Sequence, residues 1–325
     1  MDNQYYKPLV AVVTEAEQGK TVRSVLERQL GVSRKLLSQV KLTEHGLTVN
    51  EKRVYTTSPV RTGDVIRVRM EREVSDDILP QPLPVQIVFE DEDLLIVNKP
   101  AGMIVHPTHG HYTGTMANGI VYHWQQKGER VRFRPVHRLD EETSGLVAVA
   151  KTSYVHQQLS EQMQAGGVLK LYRAYVYGSP EPAKGTVDAP IDRNPDEPHV
   201  RIVTPEGYPS VTHYETVKCF RTADGSAPAA AAVRLKLETG RTHQIRVHMQ
   251  HIGCPLIGDK MYGPKEGAIS AWEEAAGRQA LHAETLGFTH PITRERMEWQ
   301  ASLPLELARL EQLLSTQRMP TLDRS

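Results

Sequence analysis

The stretch that decides how this chain is read is Arg134-Pro135-Val136-His137-Arg138-Leu139-Asp140-Glu141-Glu142-Thr143-Ser144-Gly145-Leu146-Val147-Ala148-Val149-Ala150-Lys151. Its first half is a polar, charged turn containing a glycine, and its second half is a purely apolar strand. An apolar strand belongs in a core. A charged turn at its mouth is where a rigid scaffold presents reactive groups. Asp140 stands in that turn between the basic His137 and Arg138 and the acidic Glu141 and Glu142. Residue types alone leave two accounts open: a reactive carboxylate, or a turn residue that caps the Thr143-Ser144 backbone.

Two later segments share this density. Lys170-Leu171-Tyr172-Arg173-Ala174-Tyr175-Val176-Tyr177-Gly178 reads as a strand. Its period of two puts Lys170, Tyr172, Ala174 and Val176 on one face and Leu171, Arg173, Tyr175 and Tyr177 on the other. This is either a strand with one core face or an aromatic platform for a base, with cations beside it for phosphates. The segment from Leu237 to Gly253 gathers Arg241, Arg246, His243, His248 and His251 around a glycine turn. The histidines lack the i, i+4 spacing of a zinc-protease helix, so no metal is expected. A cationic site for phosphate or carboxylate is the better reading, because arginine stays charged and binds carboxylates bidentately. No GxSxG elbow, Walker phosphate loop or CxxC pair occurs, and no spacing singles out a glycosidase carboxylate pair.

Outward from these segments the chain divides. Residues 1–74 form a first domain with its core at 18–70. A strand at 8–13 precedes a helix that Thr21 opens and Gly31 ends. Ser33 caps a second helix, and strands follow at 47–50 and 65–68. Residues 75–84 read as a proline-rich linker, residues 85–315 as the second domain and residues 316–325 as a loose tail. The second domain shows two strands around an acidic turn at 87–99, helical pattern at 113–127 and 153–165, strands at 171–177 and 233–237, and a leucine-rich helix at 305–314. The Ala-rich stretch 222–231 reads as a surface loop. Strands outnumber helices without alternating strictly with them, so the fold class is α+β rather than doubly wound α/β.

The 325 residues fit roughly two domains, and the formal net charge is zero. That neutrality conceals an asymmetry: residues 18–72 hold twelve Lys or Arg against five Asp or Glu, a local balance of +7. A basic module inside a neutral chain is either a solvated face or a surface for polyanions. Two distant cysteines, Cys219 and Cys254, make neither a disulfide framework nor a metal knuckle. No stretch approaches the roughly 18 apolar residues of a membrane span. A cytoplasmic protein is expected.

Taken together, these motifs resemble the RluA-type pseudouridine synthases. His137-Arg138-Leu139-Asp140 with Thr143-Ser144-Gly145-Leu146 is similar to the family signature. In order along the chain, Asn98-Lys99-Pro100-Ala101-Gly102, Lys170-x-Tyr172-x-Ala174, Thr239-Gly240-Arg241-Thr242-His243-Gln244-Ile245-Arg246, Gly258-Asp259-x-x-Tyr262-Gly263 and Arg278 to Ala283 are similar to its further motifs. Glu141-Glu142 departs from the family pattern, which has a basic residue and then aspartate. The first domain resembles the alpha-L RNA-binding module of a small-subunit ribosomal protein, through Ser33-Arg34 and Gly46-x-x-Val49-Asn50.

The resemblance implies a pseudouridine synthase fold with a large, mixed, mostly antiparallel sheet flanked by helices and loops. It implies an isomerase that breaks a uridine's N-glycosidic bond, turns the base and rejoins it through carbon 5, with no redox change and hence no cofactor. Asp140 would be the carboxylate beside the anomeric carbon, attacking it or starting elimination. Arg246 would pair with Asp140 and hold it ionised. Tyr172 would pack on the base or help remove the carbon-5 proton, and Ile245 would floor the pocket. Arg138, with His137 beside it, would fill the stack that a flipped uridine leaves. Ser33, Arg34, Lys35, Lys52 and Arg53 would bind RNA. The tandem order fits family members that target large-subunit ribosomal RNA, with transfer RNA as the alternative; a monomer is expected. The competing classes are a non-catalytic RNA-binding or ribosome-assembly protein and a nucleoside or glycoside hydrolase.

Overall fold

The computed structural model describes residues 4–221, 228–264 and 270–316. The first unit contains β1 (Leu9–Val12), α1 (Val22–Leu30), α2 (Arg34–Val40), β2 (Leu47–Val49), β3 (Lys52–Arg53) and β4 (Val65–Val68). The Thr21 hydroxyl accepts from Ser24 N–H to start α1, and Gly31, at φ 63°, ends it in the left-handed conformation glycine favours. The Ser33 hydroxyl accepts from Leu36 N–H and starts α2. The strands form an antiparallel sheet in the order β1-β4-β2-β3. Val22, Val25 and Leu26 of α1 and Leu36, Leu37 and Val40 of α2 are buried, and Leu30 is half-buried against them.

Residues 75–84, the expected linker, carry no regular element, and Ser75 and Ile78 within them are buried. Ile78 lies in the main core, a burial that stabilises by about 1.5–3 kcal/mol. The Ser75 hydroxyl accepts from Phe133 N–H. Asn118 closes a capping box with Thr115, donates to Leu79 O and accepts from Gln81 N–H through its main-chain carbonyl. The prolines remove backbone donors, and neighbouring elements supply the contacts instead.

The second unit runs through β5 (Gln86–Glu90), β6 (Leu94–Lys99), α3 (Met116–Gln126), β7 (Arg134–Pro135), β8 (Ser144–Ala150), α4 (Ser153–Gln164) and β9 (Leu169–Tyr177). It continues through β10 (Lys184–Asp188), β11 (Ile191–Arg193), β12 (Arg201–Val203), β13 (Val211–Arg221), β14 (Pro228–Leu237) and α5 (Gln244–His251). It closes with α6 (Ala271–Ala276), β15 (Leu281–Thr289), β16 (Arg296–Gln300) and α7 (Leu305–Thr316). The main sheet has the order β10-β13-β14-β9-β15-β8-β6-β5, with β16 on β15 and β7 on β8. Among the described residues, every pairing in it is antiparallel except β8 with β15. The fold is therefore the mixed, mostly antiparallel α+β arrangement expected.

The apolar run of the signature is explained by β8. Val147 and Val149 enter one core cluster, and Leu146, Ala148 and Ala150 enter the other. A strand covered on both faces reads as continuous apolar sequence rather than as alternation. At its start, Gly145 has φ 119°, and a Cβ built there would lie 2.3 Å from Ala283 O. Glycine is required for β15 to approach β8. β14 corrects an expectation, because Ala230 and Ala231 of the expected surface loop are buried sheet positions. Residues 222–227 of that expected loop, and the tail beyond Thr316, lie outside the described residues.

The cluster holding the first unit's core continues into Leu94, Ile96, Leu146, Ala148, Tyr154, Val155 and Leu159. Polar contacts support the joint. Tyr154 Oη donates to Leu30 O at 2.7 Å, Gln157 Nε2 donates to Gly31 O at 2.8 Å, and Ser33 N–H donates to Gln157 Oε1.

Candidate active site

The Asp140 turn is held from beneath by two buried cations that bind main-chain carbonyls. Lys99 donates to Pro100 O, Met103 O and Glu141 O at 2.7–2.9 Å. Burial lowers its pKa to about 7, with the Arg278 charge adding to the effect. Arg278 donates to Glu142 O, Gln279 O, Leu281 O and the Ser144 hydroxyl, and pairs with Glu306. Thr143 N–H donates back to Asp140 O, and Leu139 is anchored in the core. The Glu141 and Glu142 side chains are exposed. This turn therefore uses their carbonyls and not their side chains.

Opposite the turn, His243 adopts a left-handed conformation (φ 57°) and opens α5, which carries Ile245 and Arg246. The amide of Gln244 is fully used. Its oxygen accepts from Thr239 Oγ1 and Arg241 N–H, and its nitrogen donates to Val211 O and Thr212 Oγ1. Arg246 is buried and holds two carboxylates. Its Nε and Nη2 donate to Asp259 at 2.6 and 2.8 Å, and its Nη1 donates to Asp140 Oδ2 at 3.3 Å. Asp259 also accepts from the N–H groups of Met261 and Tyr262. The fixed fork of the guanidinium thus has one edge locked on Asp259 and one corner aimed at Asp140.

Asp140, Arg246, Tyr172, His137, Arg138 and Ile245 all line one cleft of about 1170 Å³. Three motifs separated by many residues thus converge, as expected. Tyr172 is buried on β9, and burial, with Asp140 as the second cause, pushes its phenol well above the ordinary range, so it stays protonated. Ile245 is buried in the adjoining core. Arg138 is exposed at the rim. His137 Nε2 accepts from Ala148 N–H, and its buried Nδ1 has no partner among the described residues. Burial first and the Lys170 charge second lower its pKa to about 3, so the ring is neutral at physiological pH. Among the described residues, six Lys or Arg line the cleft (Arg138, Lys170, Arg193, Arg201, Arg241 and Arg246) against two carboxylates, Asp140 and Glu238. Such a balance draws in a polyanion.

The three histidines of the Leu237–Gly253 segment have ordinary surroundings. His243 Nδ1 meets Tyr262 Oη, and His248 bonds Thr212 Oγ1 and Ala189 O. His251 ends α5. Asp91, Asp93 and His290 come close enough to hold a cation. The Asp91 carboxylate and the His290 ring already serve a turn, however. Asp91 accepts from Asp93 N–H, Leu94 N–H and His290 Nε2, and His290 Nδ1 accepts from Ile292 and Thr293 N–H. In the first unit, Arg34, Lys35, Lys52 and Arg53 are exposed, and Arg53 donates to Lys41 O. Ser33 is half-buried, with its hydroxyl engaged in capping α2.

Sequence reading passed over the work of Lys99, Asp259 and Arg278. All three stood in quoted motifs, and each is a charged residue that turned out buried. An apolar environment around a charged motif residue is the signal that would have marked them, and one sequence does not display it.

A profile described as RNA pseudouridylate synthase matches residues 93–251. The "uncharacterized RNA pseudouridine synthase YjbO" of Bacillus subtilis is 41% identical over 283 residues, covering 87% of this chain and 95% of its own. The "ribosomal large subunit pseudouridine synthase D" of Pseudomonas aeruginosa is 40% identical over 280 residues, covering 84% and 85%. Among solved structures, that of human RNA pseudouridylate synthase domain containing 1 has a TM-score of 0.54 at 26% identity, covering 74% of this chain and 98% of that one. The cleft, the order of its motifs and these likenesses agree, and the chain belongs to the RNA pseudouridine synthases of the RluA type.

Proposed function

We propose that this enzyme isomerises uridines of large-subunit ribosomal RNA, acting on a flipped-out nucleotide through Asp140. The observation that carries the reading is the aim of Arg246, whose guanidinium is clamped by Asp259 and points a free corner at Asp140 inside a cation-lined cleft. Binding RNA does not require a carboxylate inside a cleft built for phosphates. Chemistry at an anomeric carbon does, because the carboxylate must be ionised and held at one place as the glycosidic bond breaks. The relatives named for the large ribosomal subunit, 40% and 37% identical in Pseudomonas aeruginosa and Escherichia coli, support the choice of RNA.

In this mechanism a uridine leaves its stack, which costs a few kcal/mol and least in a loop. Arg138, exposed at the rim, fills the gap, while neutral His137 shapes the wall beside it. The base lies against Tyr172 and Ile245. A phenol kept protonated suits packing and hydrogen-bond donation better than proton abstraction, so the assignment of Tyr172 as a base is the weaker half of its expected role. Arg34, Lys35, Lys52 and Arg53 add phosphate contacts from the first unit. No helix among the described residues is long and apolar enough to cross a membrane.

The test is tritium release from carbon-5-labelled uridine in large-subunit ribosomal and transfer RNA transcripts, with free uracil measured in parallel. Release from the ribosomal transcript without uracil is expected. Release only from transfer RNA would move the target, and free uracil would make the protein a hydrolase. Asp140→Asn is expected to lower the rate at least about a thousand-fold while RNA affinity stays within about two-fold.

A further inference from the structure

Lys170 lies on the cleft-facing side of β9, two residues before Tyr172. It is 7% exposed. Among the described residues no ion pair or hydrogen bond engages its ammonium, although the other deeply buried lysines, Lys99 and Lys151, are each held by several acceptors. Its Nζ sits beside the Gly240 backbone, 3.8 Å from where a Cβ on that glycine would be. The missing side chain of Gly240 therefore leaves the space next to the ammonium open. Burial pushes the Lys170 pKa below its ordinary value, and no carboxylate offsets this. Its cost is also felt by His137, whose ring is kept neutral partly by the Lys170 charge.

A buried cation without a counter-charge lowers stability, and such a group persists where a ligand supplies the opposite charge. Within RNA, only the phosphodiester is anionic. We infer that Lys170 receives a backbone phosphate adjoining the target uridine, so that the base on Tyr172 and the phosphate on Lys170 fix the nucleotide at two points of one strand. The inference rests on the RNA-directed reading above and adds to it a particular anchor inside the cleft, distinct from the exposed cations of the rim. Residues two apart on one strand face lie roughly 7 Å from each other, a separation that matches the reach from a uracil ring to its own backbone.

The experiment compares full-length protein with Lys170→Met, which keeps the aliphatic stem and removes the charge. Binding to the large-subunit ribosomal transcript is measured over a range of salt, together with KM and kcat for tritium release. One lost phosphate contact is expected to reduce the slope of log K against log salt by about one. KM is expected to rise about ten-fold, with kcat changed less. Because a charge without a partner leaves the interior, Lys170→Met should melt at a higher temperature than the parent. Should Lys170→Met not fold, Lys170→Gln gives the same reading, and Lys170→Arg should recover the slope. An unchanged salt slope and KM would overturn the inference, as would a lowered melting temperature with binding intact, the mark of a packing role. If the parent binds RNA but releases no tritium, the proposed reaction falls while the slope still decides the Lys170 contact.

Discussion

Arg246 divides its five N–H donors unequally, and the division sets what single substitutions do. The bidentate grip goes to Asp259, whose carboxylate is buried and has further backbone donors. Asp140 receives one longer bond and stays accessible to a substrate. Asp259→Asn should therefore free the guanidinium to turn. We expect kcat to drop at least about ten-fold with KM within about two-fold, recovering in part in Asp259→Glu. Stability should fall by about 3 kcal/mol, at the low end for a broken buried pair because Asp140 remains as a partner. Single-turnover tritium release and urea unfolding check both. His137 yields a pH effect of definite sign. Its ordinary value of 6.5 is lowered to about 3 in the folded protein, so the unfolded chain binds the extra proton between those values. Its contribution to stability is intact above about 6.5 and is lost as pH falls towards 3. Urea midpoints at pH 7.5 and 5 should differ less in His137→Gln than in the parent, and equal differences would remove His137 from the titration. Asp140, Tyr172 and Arg246 were legible because each stands in an ordered motif. The use of Asp259 was not, since nothing in a sequence says which of two carboxylates an arginine grips harder.

Among the elements, β8 was the most legible, because burial on both faces writes itself as an unbroken apolar run. The Ala-rich start of β14 was misread for a related reason. Ala230 and Ala232 are small because Trp272, Leu307, Leu310 and Leu314 press on that face of the sheet, and small residues in a row look like low complexity when the layer above is unknown. The proline-rich segment 75–84 reads as a linker and carries no regular element, but the docking of Ser75 and Ile78 was not legible, since proline content reports lost donors and not docking. Gly145 makes a firm prediction at this scale. Its φ of 119°, and Ala283 O only 2.3 Å from where a Cβ would stand, leave no room for a side chain. Gly145→Ala should cost about 3 kcal/mol or more through loss of the β8–β15 pairing, visible as a lower urea midpoint. A midpoint within experimental error of the parent would mean that the two strands are less tightly joined than described.

At the scale of the whole molecule, the shared apolar cluster between α1, α2 and α4 changes what the division at residue 74 means. The first unit has its own sheet and helices, yet without it Tyr154 would lose Leu30 O as its acceptor, and Gln157 and Gln158 would lose Gly31 O and keep only Glu161. We propose that a chain lacking residues 1–74 still releases tritium, binds the ribosomal transcript at least about ten-fold more weakly with a shallower salt slope, and melts at a lower temperature. Loss of affinity with an unchanged melting temperature would show the docking to be energetically slight. β15, from late in the chain, is inserted between β8 and β9, and Arg278 just before it fastens the Asp140 turn. During synthesis, residues 144–177 must wait for residues 278–289 to leave the ribosome before the centre of the sheet can close. Non-local pairing of this kind is slow and leaves strand edges open meanwhile. A chain that stops before residue 278 would thus lack both the strand that joins β8 to β9 and the arginine that fastens the Asp140 turn.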